Sequence, residues 1–197
     1  MKKKEKQDNF LVLSILIGQG ATRECYLHPS KFNKCVKILK NSKNKKILER
    51  ELRTYFVVKS FLGDLLPAYE NVLVDTNKGV GVVCELFRDD DGKLSKPISY
   101  YAKNSEIDDE IISELYHFTY QLVEHDLYFY DFNLKNFVIQ IKQGQKKLKY
   151  IDLKSYNNNK SWTFLKLEKI FSFLAKIIMQ RRLKRCFKLL NINFRIV

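Results

Sequence analysis

The apolar positions of the chain follow a strand period first and a helical period later. Phe10–Ile17 is an apolar run closed by Gly18, which predicts a strand entering a turn, and Gly18–Leu27 reads as a glycine turn returning into a second strand. Lys34–Leu39 alternates, with Val36 and Ile38 on one face and Lys37 and Leu39 on the other, as a third strand does. From Lys45 to Leu62 the period becomes helical, with Leu48, Leu52, Tyr55, Phe56 and Lys59 along one stripe, Glu49 and Glu51 riding on the helix, and Gly63 as its stop. Val72–Val74 and Val80–Leu86, joined by a turn at 75–79, predict a hairpin. The first 87 residues therefore read β-β-β-α-β-β, a small α+β lobe.

Phe87–Lys93 is polar, carries Asp89-Asp90-Asp91-Gly92 and marks the expected lobe boundary. Its three aspartates lack the alternating pattern and distant glutamate of a Ca²⁺ loop, so a solvated turn is expected there. Ser105 reads as the N-cap of a helix whose stripe is Ile107, Ile111, Leu115, Phe118 and Leu122. Val138–Ile141 and Lys147–Ile151 predict a second hairpin around Lys142–Gln145. A loop at 155–159 leads into a basic helical region with Leu167, Ile170, Phe171, Leu174, Ile177 and Ile178 as its buried face.

Composition narrows the class. A chain of 197 residues with 45% hydrophobic and 13% aromatic residues is globular and long enough for one domain built of two lobes, 1–87 and 88–197. The formal charge of +14 is uneven: residues 1–50 and 160–197 are each net +9, while 51–159 are net −4. Such ends attract nucleotide, anionic lipid or another acidic partner, the last two at the basic C-terminal helix. No nucleic-acid recognition motif accompanies the charge, so nucleic acid is not the expected partner. Cys25, Cys35, Cys84 and Cys186 lack paired metal spacing and predict free thiols in a reducing cytoplasm. Met1-Lys2-Lys3-Lys4 ahead of Phe10–Ile17 has the outline of a secretory leader, but Glu5 and Asp8 interrupt it and the apolar run is short; a cytoplasmic location is expected. No run of about 18 apolar residues is present to span a bilayer.

The chemistry concentrates at Tyr130–Ile139 and Tyr150–Asp152. Asp131, Asn136 and Asp152 flank the second predicted hairpin, and an acid, an amide and an acid supply hard oxygen ligands for Mg²⁺ with one carboxylate left to take a proton. Taken with Gly18-x-Gly20, the strand lysine Lys37 and a helix glutamate, Glu51 or Glu49, the ordered set resembles the protein kinase-like fold. More narrowly, the Gly-x-Gly-x-x-Arg-x-Cys-Tyr-x-His-Pro opening at Gly18–Pro29, Cys35-Val36-Lys37-Ile38 and Arg50-Glu51-Leu52 are similar to the YrbL family of bacterial proteins, named for a PhoP regulatory network.

That resemblance implies a bilobal α+β fold, with a small antiparallel β-rich first lobe carrying one helix and a short, mostly helical second lobe. It also implies a nucleotide cleft binding ATP and Mg²⁺. Gly18 and Gly20 would cover the phosphates, Lys37 would hold phosphate oxygens, and Glu51 would orient Lys37. Glu85 and Phe87 would lie at the adenine, Asp131 would take the proton of a hydroxyl acceptor, Lys135 would neutralise phosphate charge, and Asn136 and Asp152 would hold Mg²⁺. Arg23 stands where the third glycine of such loops would be, and Asp152 is followed by Leu153-Lys154. Only 45 residues follow Asp152, which favours the atypical or small-molecule type of kinase. The expected activity is an ATP- and Mg²⁺-dependent phosphotransferase; the other expectation is a pseudokinase acting as a nucleotide-binding or protein-binding regulatory module.

Overall fold

The structure is a computed structural model that describes residues 10–40, 45–129, 131–153 and 168–192, with residues 168–175 described by their backbone only. It is a mixed α+β protein whose chain divides into two units. One comprises residues up to Leu52 together with Ala68–Leu86, and the other comprises Arg53–Pro67 together with residues from Phe87 onward.

The first unit is a six-stranded sheet, made of β1 (Phe10–Leu11), β2 (Leu16–Gln19), β3 (Arg23–Leu27), β4 (Lys34–Leu39), β5 (Tyr69–Thr76) and β6 (Gly79–Glu85). Helix α1 (Lys46–Leu62) follows β4. The strand order is β1-β5-β6-β4-β3-β2, with only β1 and β5 parallel. The single apolar strand expected at Phe10–Ile17 is therefore two strands, one on each edge of the sheet. Four residues bridge those edges, and the five extended steps from Leu11 to Leu16 reach only about 17 Å, so the sheet must curl to bring them together.

Leu13 sits in that bridge and explains it. Its side chain is 1% exposed and packs with Tyr26, Val36, Ile38, Val74 and Val83. The Asn77 amide holds its backbone on both sides, accepting from Leu13 N at 2.8 Å and donating to Leu13 O at 3.2 Å. Close approach of β4 and β6 needs Gly81, because a Cβ there would lie 2.6 Å from Val36 Cγ1 and 3.3 Å from the Lys37 carbonyl oxygen. The buried positions of α1 are Leu48, Leu52, Tyr55, Val58 and Leu62; Phe56, expected on that stripe, is 48% exposed. Val58 and Leu62 continue the i, i+3, i+4 pattern, while Phe56 falls a turn's third away from it.

The second unit carries α2 (Ile98–Lys103), α3 (Asp109–Glu124), α4 (Glu168–Leu189) and a three-stranded sheet β7-β8-β9, formed by Lys96–Pro97, Phe137–Lys142 and Gln145–Tyr150. The β8–β9 turn places Gln143 and Gly144 at φ 51° and 74°, the pair of positive values that a two-residue hairpin turn requires. Helix α3 starts later than Ser105: Asp108 is its N-cap and accepts from Ile111 N at 3.0 Å, which leaves Ile107 outside the helix. Glu110 and Glu114 of α3 accept from the β9 backbone at Lys146 and Leu148, satisfying an otherwise open strand edge.

The aspartates at 89–91 act as structural acceptors. Asp89 takes Ser95 Oγ and Ile141 N, Asp90 takes Gln143 N, and Asp91 takes Lys93 N and pairs with its ammonium. Helix α4 buries Met179, Leu183, Cys186 and Phe187, and Leu190 is buried just past its end. Ile178, expected on the buried face, is 43% exposed; Leu167 lies outside the described residues, as do the side chains of Ile170, Phe171 and Leu174. Among the described residues no helix is long and apolar enough to cross a membrane.

Candidate functional site

In the first unit, strand alternation decides where Lys37 points. Val36 and Ile38 take the apolar core, so Lys37 shares the opposite sheet face with Cys25 and Val82, its register partners. Its ammonium donates to Tyr69 Oη at 2.8 Å and lies 5.0 Å from the Tyr69 ring centre. Tyr69 in turn donates to Glu51 Oε1 at 2.8 Å. Glu51 falls on the buried stripe of α1 and is 2% exposed, whereas Glu49 is half-buried, so Glu51 is the helix carboxylate drawn into the cluster. The expected Lys37–Glu51 partnership is thus relayed through Tyr69. Glu51 pairs directly with Arg23 instead, the side chains being 1% and 13% exposed.

Burial works against the Lys37 ammonium, yet Cys84, Tyr69 and Glu51 around it outweigh that effect and hold its pKa well above the ordinary value of 10.5. Burial raises the Tyr69 phenol, and the Glu51 charge raises it further. The Cys84 thiol is raised by its hydrogen bond with Cys35, whose Sγ is 3.5 Å away, and then by burial. Tyr69 and Cys84 are therefore neutral at ordinary pH, and Glu51 supplies the negative charge that Lys37 feels. Cys25 is half-buried, and Cys35, Cys84 and Cys186 are buried; all four are free thiols.

Gly18 opposes Cys25 in the β2–β3 ladder, and Gly20 N donates to Arg23 O at 2.8 Å to close the turn. A Cβ at either glycine would meet nothing within 4 Å. The chain's own packing does not demand glycine at these two positions. Glu85 ends β6, its N–H donating to Ala68 O at 2.8 Å and its Oε2 accepting from Ala68 N at 3.1 Å.

In the second unit, residues 131–136 are held from below by aromatic packing. Phe118, Phe129, Phe137 and Tyr150 are all 0% exposed, with ring centres 5.2–5.4 Å apart where they touch. Tyr150 Oη donates to the Asp131 carbonyl at 2.9 Å and pins the loop's start. Asn133 makes its turn, accepting from Lys135 N through Oδ1 and from Asn136 N through its carbonyl. Lys135 is exposed, and among the described residues it makes neither an ion pair nor a hydrogen bond with Asp131.

Asn136 turns its Nδ2 to the Asp131 carbonyl at 3.4 Å, which directs Oδ1 away from the loop backbone. Ile151 N donates to Asn136 O at 2.9 Å, so the β8–β9 hairpin sets Asn136 next to the residue preceding Asp152. An amide oxygen and a carboxylate are ligand types that suit a hard cation, with further oxygens needed from water or phosphate to complete its shell. Among the described residues no group of three or more His, Cys, Asp or Glu side chains is placed to hold a metal. Phe87 belongs to this unit, is 6% exposed, accepts from Ser95 N at 3.1 Å and has the Lys149 ammonium 5.5 Å from its ring centre. Tyr130 lies outside the described residues.

The sequence pattern of the family described as PhoP regulatory network protein YrbL runs through residues 11–194. The chain belongs to this family. It is similar to the YrbL proteins of Escherichia coli (strain K12) and Shigella flexneri, 31% identical to each over 99 residues, or 48% of this chain and 47% of each relative. The matched stretch thus spans about half the length of these curated relatives.

Three residues of this YrbL-family chain escape a reading by motif. Tyr69 relays Lys37 to Glu51, Tyr150 fixes Asp131, and Arg23 claims the carboxylate. Arg23 carried a signal, since it occupies a glycine's place at the end of a turn. Tyr69 and Tyr150 carried none beyond being aromatics in strands.

Proposed function

We propose that this YrbL-family chain is a cytoplasmic protein kinase-like phosphotransferase that moves a phosphoryl group from ATP to a hydroxyl acceptor with Mg²⁺. The observation that supports it most is Lys37: a lysine in the middle of a central strand, turned off the solvent and tied through one hydroxyl to a buried helix carboxylate. Such a lysine serves an anion better than it serves the sheet. ATP and Mg²⁺, when bound, would supply the transferable group and the charge that offsets its oxygens.

The chain's residues divide the remaining work. Lys37 holds phosphate oxygens, Gly18 and Gly20 let backbone approach them, and the backbone at Glu85 and Phe87 meets the base. Asp131 carries no hydrogen bond or ion pair on its carboxylate among the described residues, which leaves it able to take the acceptor's proton. Lys135 offers an exposed positive charge to the phosphoryl oxygens, and Asn136 with Asp152 holds the metal. Wild-type protein is expected to show Mg²⁺-dependent ATP stabilisation in a thermal-shift assay, weakened by Asp152→Ala; no shift at millimolar nucleotide removes this reading. Asp131→Ala is expected to abolish ATP hydrolysis with nucleotide binding retained.

A pseudokinase reading draws on one observation, the pairing of Glu51 with Arg23, so that Glu51 reaches Lys37 through Tyr69. If wild type binds ATP but turns over no faster than Asp131→Ala, that reading prevails.

For α4 we propose docking to an anionic bilayer. Arg181, Arg182, Lys184, Arg185 and Lys188 are exposed, with Ile178 and Leu189 exposed among them at 43% and 65%. At about 100° per residue these seven share an arc of roughly 160°, with the two aliphatics toward one side of it, between Arg185 and Arg182. Lipid head groups and acyl chains engage both kinds of side chain, whereas nucleic acid uses only the charges. Flotation with anionic vesicles is expected to carry the protein and to fail after charge reversal at Arg181, Arg182, Lys184 and Arg185; unchanged flotation refutes the assignment.

A further inference from the structure

Arg23 and Lys37 are half-buried in the first unit, and Glu51, 2% exposed, pairs with Arg23 and reaches Lys37 through Tyr69. Arg23 is permanently charged, and Lys37 is held protonated. Glu24, the acid of β3, alternates onto the opposite face and accepts from Tyr26 Oη at 2.8 Å.

The Arg23 guanidinium keeps one edge unused. Nη1 meets Glu51, while Nε and Nη2 are buried and have no hydrogen-bond partner among the described residues. These two nitrogens share the side-on edge of the guanidinium plane, and their hydrogens form the parallel fork that matches two oxygens of one oxyanion. Buried donors of a charged group are rarely left idle; an idle, preformed fork indicates a group that is supplied from outside. Shortly before Arg23 comes the Gly18–Gly20 turn, where a Cβ at either glycine would meet nothing within 4 Å among the described residues.

From this geometry we infer that Arg23 is a phosphate receptor: its Nε/Nη2 edge binds a phosphoryl group of the nucleotide without metal, and Glu51 sets the strength of that binding by competing for the same guanidinium. The inference rests on the phosphotransferase or nucleotide-binding reading for its ligand class and adds Arg23 to the groups that hold it. Arg23 acts as a binding residue here. Because Glu51 opposes the ligand electrostatically, removing its charge strengthens phosphate binding; a Glu51 that only orients Lys37 would have the reverse effect.

Calorimetric titration of the full chain in EDTA tests this with inorganic tripolyphosphate, ATP and adenosine. Tripolyphosphate and ATP are expected to bind and adenosine to bind far more weakly. Arg23→Gln is expected to weaken both phosphate ligands on the order of tenfold or more, as the loss of a charge-assisted pair of hydrogen bonds implies. Arg23→Lys, which keeps the charge but not the fork, is expected to recover only a minor part. Glu51→Gln is expected to tighten tripolyphosphate binding several-fold. Arg23→Gln binding as tightly as wild type, Glu51→Gln binding more weakly, or no tripolyphosphate binding to wild type each overturns the inference. Should Glu51→Gln not fold, the two Arg23 variants decide. Mg²⁺-dependent ATP turnover that depends on Asp131 could persist after any of those negative results, so this inference and the phosphotransferase proposal fail separately.

Discussion

The two units hold their polar groups in opposite ways. In the first, side chains fix one another: Arg23, Glu51, Tyr69 and Lys37 form a continuous, partly buried chain of charges and hydrogen bonds. In the second, around residues 131–136, packing fixes the backbone and leaves the Asp131 and Lys135 side chains uncommitted. Phe129, Phe137 and Tyr150 anchor residues 131–136, while the Asp131 carboxylate and the Lys135 ammonium are not spent on the fold. Charge changes in the Arg23–Glu51–Lys37 cluster should therefore register as stability, and charge changes at Asp131 and Lys135 should leave stability almost untouched.

The largest expected effect is Glu51→Ala. It strands two enclosed cations, and breaking a buried pair from one side destabilises by about 3–5 kcal/mol. Urea unfolding measures it; a change below about 1 kcal/mol would mean that solvent reaches the cluster and screens its charges.

The same cluster predicts an alkaline limit. Lys37, Tyr69, Cys35 and Cys84 all have folded pKa values above their ordinary ones. Each binds its proton more tightly folded than unfolded, so its contribution is complete below the unfolded value and is lost as pH rises toward the folded one. The thiols, ordinarily at 9.0, set the onset, and Tyr69 and Lys37, ordinarily at 10.0 and 10.5, extend the loss. Urea midpoints should hold to about pH 8.5 and then decline, and because burial also raises the Cys186 thiol, Cys35→Ala, Cys84→Ala and Cys186→Ala together should move the onset toward about 10. A flat profile to about pH 11 contradicts the burial of these groups.

Next in size is Gly81→Ala, at about 1–3 kcal/mol, because the new methyl group meets Val36 and the Lys37 carbonyl in a packed strand pair. Comparable stability of the alanine variant would show that β4 and β6 separate easily. Tyr150→Phe should cost less, about 1 kcal/mol, since the ring stays in its aromatic cluster while its hydrogen bond to the Asp131 carbonyl is lost. Denaturant midpoints of the two variants, measured side by side, check the order.

Much of this was legible from period alone. Strands β3 to β6, helix α1 and the β8–β9 hairpin follow from alternation, helical spacing and glycine, each a local signal. What failed was nonlocal. Nothing inside Phe10–Ile17 marks a break, because the break exists only to let the chain cross between the edges of a curled sheet. Ser105 and Asp108 are equally good caps by type, and only the packing of Ile111 decides between them. On α4 the positive charge was visible, but which arc is buried depends on the surface it meets, and so period alone puts Ile178 inside. The candidate site was legible where it rests on type and spacing, in Lys37, Asp131, Asn136 and Asp152. Where it rests on side chains from different elements meeting, in Arg23 with Glu51 and Tyr69 with Lys37, one-dimensional order holds no record.

The smallest expected stability change carries the most functional weight. Asp131→Ala should move the urea midpoint by no more than about 0.5 kcal/mol, since the carboxylate makes no hydrogen bond or ion pair among the described residues while the loop is held through the Asp131 carbonyl, which the substitution keeps. An aspartate that does nothing for the fold, yet sits on a backbone fixed by two hydrogen bonds and a buried aromatic cluster, is positioned at the fold's expense. Neutral stability combined with complete loss of ATP hydrolysis would place its purpose in chemistry. Neutral stability with unchanged nucleotide turnover would leave the loop ordered for binding alone, and a loss of several kcal/mol would make Asp131 a structural residue and erase the contrast between the two units.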